Sequence, residues 1–307
     1  MKLKKKRKIL IIGYGQDGKI LKKQGIEDNR KVYIISKKKI KNKEKNIFFR
    51  KLDIKNKKAV FKYLKKFTNL DIYFFATHNI SSSEKENSQI FFNNLETNVI
   101  ALTNFLEFID KNKNKNNKFF YASSSHIFER SLILKQNETT IPSFNSYYAL
   151  TKYLGLQICH YYRKNKNIFC SVGILYTHVS KYINKSFLIK ELLDKIKNSK
   201  NRTVYVHDVN AKIDIMSSED AVLAMQKIMQ LKKPDTFIIS SGKIVSIKNI
   251  FNKIINYKKI KQKYKIKSLG KIKLKKTVLF GNNNKLKQNT SWSVSANLND
   301  IIKKVLN

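Results

Sequence analysis

Short apolar runs alternate with longer amphipathic stretches over residues 1–175. Runs such as KILII at 8–12 are bounded by polar residues, as expected of strands that are buried on both faces of a sheet. The stretches between them, such as 57–67 and 88–110, carry apolar residues at helical spacing. This alternation predicts an α/β fold built on a doubly wound parallel sheet. The predicted strands are 8–12, 31–35, 47–54, 70–77, 119–122 and 168–175.

The pattern changes after residue 176, where the apolar runs become shorter and more mixed with lysine. We therefore expect a smaller C-terminal substrate-binding domain at 176–307, after a nucleotide-binding domain at 1–175 whose sheet is completed by parts of 203–240. Trp292, the single tryptophan, is expected in a core. The elements predicted here are helices at 186–198, 218–230, 247–257 and 297–306 and strands at 203–206, 212–216 and 236–239.

A glycine-rich loop follows the first predicted strand and opens a helix. It reads Gly13-Tyr14-Gly15-Gln16-Asp17-Gly18, a GxGxxG pattern in strand–loop–helix context. The first glycine permits the tight turn, the second lets the backbone approach a pyrophosphate, and the third allows close helix–strand packing. The helix N-terminus then faces the phosphates. The loop predicts a Rossmann-type dinucleotide site.

The ends of the next strands carry the residues that would select the dinucleotide. After the second strand the sequence is Ser36-Lys37, where a loop that prefers NAD has an acidic residue for the ribose hydroxyls. Hydroxyl and ammonium groups suit a 2′-phosphate, so we expect NADP. Asp53 is placed to meet the adenine, and Ala76 to lie against the cofactor. His78, nearby, is interpreted as a loop histidine.

A candidate proton-transfer group lies in the middle of the chain. The apolar run at 119–122 ends in three serines at 123–125, which is typical of a buried strand delivering hydroxyls at its end. Tyr148 and Lys152 follow, four residues apart and so on one helical face. An ammonium near a phenol favours the phenolate and lowers its pKa. Such a pair is common by chance in a lysine-rich chain, and it gains meaning from Ser124 and the glycine loop.

Composition narrows the partners. The 307 residues carry a formal net charge of +43, with lysine spread through every segment. We interpret this as compositional bias on solvated faces and expect no nucleic-acid partner. No run of about 18 apolar residues predicts a membrane span. Two cysteines with no Cys/His cluster indicate neither a metal site nor a disulfide scaffold and fit a reducing cytoplasm.

Several motifs in a fixed order resemble one known family. They are Gly-Gln-Asp-Gly at 15–18, the serine triplet, the Tyr-Lys helix, VGILYTH at 172–178 and AKIDIMSSEDAVLAM at 211–225, together with Asn-Glu-Thr-Thr at 137–140. The chain resembles the extended short-chain dehydrogenase/reductases, and among them the GDP-mannose 4,6-dehydratases. The resemblance implies a Rossmann domain with a smaller substrate domain, NADP and a GDP-linked nucleotide-sugar substrate. It also implies a homodimer or homotetramer that pairs through helices 88–110 and 147–164.

The resemblance also implies roles for individual residues. Ser124 falls on the catalytic hydroxyl, Tyr148 on the catalytic tyrosine and Lys152 on its lysine. Gly13, Gly15, Gly18 and Asp53 fall on cofactor positions, as does Lys152, which in the family also holds the nicotinamide ribose. To these we add Gln16, Asp17, Lys37, Ala76 and Tyr148 as candidate cofactor contacts, and Ser125, His178 and Lys185 as candidate substrate contacts.

The sequence departs from the family pattern at the position that matters most for dehydration. Where the family has a glutamate two residues after the catalytic hydroxyl, this chain has His126. If His126 exchanges protons, the chain is a 4,6-dehydratase that forms a 4-keto-6-deoxy sugar. If it does not, a 4-keto reductase or an epimerase is the alternative, and a catalytically silent NADP-binding homologue is a further one. The glycine spacing also differs, since the family usually has GxxGxxG.

Overall fold

The computed structural model describes residues 6–38, 40–41, 43–78, 87–128, 135–184, 187–269 and 278–307. Its strands are β1 Lys8–Ile12, β2 Val32–Ser36, β3 Ile47–Lys51, β4 Leu70–Phe74, β5 Lys118–Ser124, β6 Cys170–Leu175, β7 Thr177–Val179, β8 Thr203–Val206, β9 Lys212–Ser217, β10 Thr236–Ile239, β11 Ile244–Ser246 and β12 Lys265–Ser268. Its α-helices are α1 Gln16–Glu27, α2 Lys57–Leu64, α3 Ser88–Leu95, α4 Leu102–Lys111, α5 Tyr147–Lys166, α6 Leu188–Asn198, α7 Ser218–Gln230, α8 Ile247–Tyr257, α9 Asn284–Thr290 and α10 Leu298–Leu306.

Seven parallel strands form the main sheet in the order β10-β6-β5-β4-β1-β2-β3. The sheet order reverses direction beside β1, as in a doubly wound fold, and the predicted fold class is confirmed. Alternate residues of β1 show how both faces are filled. Leu10 and Ile12 pack in the cluster that includes α2, α4 and α5, and Ile9 and Ile11 pack in the cluster that includes α1 and α7. All four are fully buried, which explains the continuous apolar run.

The helix predicted at 88–110 contains a π-helical segment at Glu96–Ala101 between α3 and α4. Buried polar side chains accompany this change. Asn98 donates to Asn94 Oδ1 at 3.2 Å and to Thr151 Oγ1 at 3.1 Å. These contacts hold the segment against α5, three residues beyond Tyr148. π turns are frequent at functional sites, and this one supports the helix that carries the candidate catalytic tyrosine.

The chain after β6 builds a second core and then returns to the main sheet. Helices α6, α8 and α10 bury apolar side chains such as Leu192, Phe251 and Ile302 together with those of β8 and β9. Strand β10 pairs in register with β6, so residues 236–239 form an edge of the main sheet. Trp292 is buried and donates its indole N–H to the Asp220 carbonyl on α7 at 3.0 Å.

Within the described ranges, no helix combines the length and apolar character that crossing a bilayer requires.

Candidate active site

A cleft of about 460 Å³ opens at the carboxyl ends of the parallel strands. This is where ligands bind in open α/β sheets. Ten of the residues selected from the sequence line it. They are Gly15, Gln16, Asp17, Gly18, Ser124, Ser125, His126, Tyr148, Lys152 and His178.

Tyr148 lies at the start of α5, and the structure surrounds its hydroxyl with other hydroxyls. Ser146 caps the helix by accepting the Ala149 N–H at 3.0 Å, which fixes the first turn. The Tyr148 side chain is hydrogen-bonded to those of Ser124 and Thr77. Burial raises the pKa of Tyr148, and these two hydrogen bonds oppose the rise. The phenol is therefore neutral near pH 7 in the ligand-free protein and is held by two hydroxyl partners.

Lys152 is buried one turn farther along the same face of α5. Its Nζ donates to the Ala122 carbonyl at 2.8 Å and lies 5.8 Å from the Tyr148 ring centroid. Burial lowers the pKa of Lys152 to about 7, against an opposing contribution from the Asp17 carboxylate. The expectation that this lysine lowers the pKa of Tyr148 is not met in this geometry. Burial dominates at both groups, because it disfavours the charged form of each.

The end of β5 turns sharply and places an imidazole beside the phenol. Ser124 Oγ accepts the His126 backbone N–H at 3.3 Å, which begins a short 3₁₀ turn at Ser125–Ile127. The imidazole of His126 is exposed to the cleft, with its ring centroid 6.0 Å from that of Tyr148 in an edge-to-face arrangement. Ser125 is buried beneath it. A protonatable group thus stands beside the candidate catalytic hydroxyls.

The glycine loop has the shape that a dinucleotide pyrophosphate requires. A Cβ on Gly13, whose φ is +98°, would lie 2.6 Å from the Ala76 backbone nitrogen. A Cβ on Gly18 would lie 2.5 Å from the Gly13 carbonyl oxygen. At Gly15 the added Cβ would meet no described atom within 4 Å, and this residue begins α1 without a side-chain cap. Open space over uncapped helical N–H groups fits a bound pyrophosphate.

The side chains of the first turn of α1 contact the strand across the cleft. Asp17 Oδ2 lies 3.0 Å from His178 Nε2, and His178 Nδ1 lies 2.8 Å from the Tyr176 carbonyl oxygen. Burial alone would lower the pKa of His178. The Asp17 carboxylate and these hydrogen bonds outweigh burial and raise the pKa to about 8. The other carboxylate oxygen, Asp17 Oδ1, is buried and has no hydrogen-bond partner in the described part of the chain.

The remaining predicted residues lie elsewhere. Ala76 packs against Gly13 behind the loop. Lys37 is exposed beside a separate depression of about 140 Å³ that Lys55 also lines. Asp53 is exposed and accepts the Lys55 backbone N–H at 3.0 Å. Lys185 lies outside the described residues.

Several cleft residues were not selected from the sequence. Thr77, which contacts Tyr148, lies three residues after the end of β4, and its position beyond the carboxyl end of a parallel strand was the signal that could have identified it. Others come from the irregular segment after β7, whose sequence carries no motif. They are Tyr182, Ile183, Asn184 and Phe187.

Comparison with known families covers nearly the whole chain. The family model for GDP-mannose 4,6 dehydratase matches residues 10–305. The chain belongs to the GDP-mannose 4,6-dehydratase family. The resemblance inferred from the motifs is therefore confirmed.

Individual relatives are distant. The chain is 25% identical over 213 residues to a GDP-mannose 4,6 dehydratase of Dictyostelium discoideum, covering 62% of this chain and 59% of that protein. It is 27% identical over 139 residues to the human GDP-mannose 4,6 dehydratase, covering 44% of this chain and 37% of the human protein. The aligned region thus spans less than two thirds of either relative.

Solved structures share the fold over the whole length. A dTDP-glucose 4,6-dehydratase from Bacillus anthracis, in complex with NAD, aligns with a TM-score of 0.81 at 17% identity, covering 98% of this chain and 96% of that one. A UDP-glucose 4-epimerase from Thermotoga maritima aligns with a TM-score of 0.82 at 17% identity, covering 97% of each chain. RMD from Pseudomonas aeruginosa, complexed with NADPH, aligns with a TM-score of 0.79 at 14% identity, covering 97% and 98%.

Proposed function

We propose that the protein is an NADP-dependent nucleotide-sugar 4,6-dehydratase that forms a 4-keto-6-deoxy sugar nucleotide, with a GDP-linked hexose as the substrate. The observation that carries the proposal is the hydroxyl cluster of Tyr148, Ser124 and Thr77, which lies in one cleft with the open glycine loop. Family membership supports the class of reaction. Residues 1–175 would mainly hold the cofactor, and residues 176–307 would mainly hold the substrate.

The residues of the cleft have distinct parts in this reaction. Bound NADP would supply a hydride acceptor and a positive charge that favours the phenolate form of Tyr148. After the phenol has given its own proton to solvent in the cleft, the phenolate takes the proton of the sugar C4 hydroxyl, which Ser124 and Thr77 orient through the hydrogen bonds they share with the Tyr148 side chain. Lys152, whose pKa is about 7, can hold or release a proton beside the phenol near neutrality.

Elimination of water needs a group that removes the C5 proton and protonates the departing C6 oxygen. His126 is the candidate, since its imidazole is exposed to the cleft beside Tyr148. An imidazole with an ordinary pKa near 6.5 exchanges protons at neutral pH. The same residue is the reason to keep a second candidate function, because the family has a carboxylate there. A 4-keto reductase or epimerase needs Tyr148 but no such group.

Incubation with GDP-mannose and NADP in deuterated water, followed by mass spectrometry and NMR of the product, tests the proposal. We expect a 4-keto-6-deoxy sugar nucleotide that carries solvent deuterium at C5. His126→Ala should abolish it and His126→Glu should restore it. If this product is absent and a supplied 4-keto sugar is consumed in an NADPH-dependent reaction, the dehydratase proposal is wrong and the 4-keto reductase is the better assignment.

Self-association is part of the proposal. The helices α3 and α5 contact each other through Phe91 and Tyr147, whose ring centroids lie 4.9 Å apart. Around this contact they expose further large apolar side chains, Phe92 and Leu154 among them. A second copy of the chain would cover this face. Leu154→Lys should convert a dimer to a monomer in light scattering, whereas Tyr205→Lys, at an exposed position on β8, should not.

A further inference from the structure

Two neighbouring side chains of α1 reach from the glycine loop to the segment that follows β6. Gln16 Nε2 donates to the His178 carbonyl at 3.1 Å, and Gln16 Oε1 accepts from Ser180 N at 2.9 Å and Ser180 Oγ at 3.0 Å. Asp17 Oδ2 lies 3.0 Å from His178 Nε2. Four polar contacts thus join the start of α1 to residues 178–180.

The joined segment continues into the other wall of the cleft. Tyr182, Ile183 and Asn184 line the cleft and begin two residues after Ser180. Tyr182 also receives the Lys19 ammonium over its ring at 5.1 Å. A change in the contacts of α1 therefore alters the positions of both the loop that would hold a pyrophosphate and the opposite wall of the cleft.

The contacts of His178 require a particular protonation state. Each of its two ring nitrogens faces an oxygen acceptor, Asp17 Oδ2 on one side and the Tyr176 carbonyl on the other. Only the imidazolium carries a proton on both nitrogens. A neutral ring of either tautomer would turn a lone pair towards one of the two oxygens, so loss of one proton breaks one hydrogen bond.

The charge of Asp17 matters because of where it lies. Its carboxylate is in the first turn of α1, at the place where the dinucleotide phosphates would bind, and two anions there repel each other unless a cation balances one of them. The imidazolium does so at contact distance. The other titratable groups nearby are Tyr148 and Lys152 on α5, both of which experience the Asp17 charge, and Lys19 on α1.

We propose that His178 is a protonation-dependent positioning residue. In its imidazolium form His178 donates a hydrogen bond to Asp17, and we call this contact the clasp. The clasp holds the start of α1 against residues 176–184 and balances the charge of the carboxylate. Loss of the His178 proton weakens dinucleotide binding. This inference rests on the proposed function only in that the cleft must bind a dinucleotide. The raised pKa of His178 places the change above neutral pH.

Histidine NMR of the ligand-free protein tests the clasp without any cofactor. The chain has five histidines, so His178→Gln identifies the resonance by its loss. We expect His178 to titrate near pH 8 in the native protein and well below that in Asp17→Asn, where burial is no longer offset by a carboxylate. A native His178 that titrates at or below the ordinary value of about 6.5 would overturn the clasp.

Calorimetric titration with NADPH between pH 7.5 and 9.5 tests the consequence. We expect the native affinity to fall roughly tenfold over this range, the scale of one charge-assisted hydrogen bond. The fall should be absent in His178→Gln and retained in the control His207→Gln, which alters an exposed histidine outside the cleft. Binding with no difference in pH dependence between the native protein and His178→Gln overturns the clasp alone. No binding of NADPH or NADH at any pH overturns the proposed function as well.

Discussion

Replacing each of two glycines of the loop by alanine should separate folding from cofactor binding. At Gly15 the backbone has φ of −84°, an ordinary value for alanine, and the new methyl group would contact no described atom. At Gly13, φ is +98° and the methyl group would lie 2.6 Å from the Ala76 backbone nitrogen. The same chemical change therefore meets open space in one case and rigid backbone in the other.

The two magnitudes follow from these environments. For Gly13→Ala, positive φ costs about 1–2 kcal/mol and the contact with backbone costs about 1–3 kcal/mol. The free energy of unfolding should fall by about 2–5 kcal/mol. For Gly15→Ala it should stay unchanged or rise by up to about 1 kcal/mol, because alanine restricts the unfolded chain. Its methyl group would instead occupy the pyrophosphate position, and a similar overpacking cost makes NADPH binding about 5- to 150-fold weaker.

Urea unfolding followed by circular dichroism measures the first quantity, and calorimetric titration with NADPH measures the second. The decisive variant is Gly15→Ala, which should fold as well as the native protein and bind the cofactor poorly. Native affinity in Gly15→Ala would refute the assignment of this loop as the pyrophosphate cradle. Native stability in Gly13→Ala would refute the close approach to Ala76.

Three further predictions concern the cleft and its rim. Tyr148→Phe should reduce turnover by roughly 10² or more, the scale of general acid–base catalysis, while Tyr147→Phe, at the exposed neighbouring position, should retain it; equal rates in steady-state assays would deny Tyr148 its role. Lys37→Asp should narrow or reverse a preference for NADP over NAD, and equal affinity of the native protein for both would remove the basis of that expectation. Burial lowers the pKa of Lys152 to about 7 from an ordinary 10.5. Between these two pH values the unfolded chain holds a proton that the folded chain has released. The free energy of unfolding that depends on this residue therefore rises with pH. Lys152→Met, which removes this titration, should therefore increase the free energy of unfolding more at pH 6 than at pH 9, and an equal increase at both would contradict a buried ammonium.

The central strands of the main sheet could be located from the sequence because they are buried on both faces. A strand such as β1 must be apolar wherever both faces are covered, here at 9–12, and that makes it visible as a run. The ends of the runs were less informative. Strand β4 stops at Phe74 rather than residue 77, and the next residues lie closely against Gly13 of the glycine loop.

The chemistry of the cleft could be predicted from the sequence only where it depends on residues close together along the chain. The spacing of Tyr148 and Lys152 places both on one helical face, and the structure has them so. The direction of the Tyr148 pKa could not be inferred, since it depends on how deeply α5 packs into the fold. The contact between Asp17 and His178 joins residues 161 positions apart, and no local pattern carries such information.

The main sheet can be completed during synthesis only after β10 has been made, because β10 pairs with the much earlier strand β6. The neighbouring strand β6 ends at residue 175, and the 60 residues from 176 to 235 must be made before β10 can pair with it. A ribosome adding about 5–20 residues per second takes roughly 3–12 s over that interval. During that time an apolar strand presents an open edge, the feature that promotes aggregation of nascent chains. Residues 1–175 therefore cannot complete the main sheet without β10, and we expect the yield of folded protein to depend on chaperone capture while the edge of β6 is open.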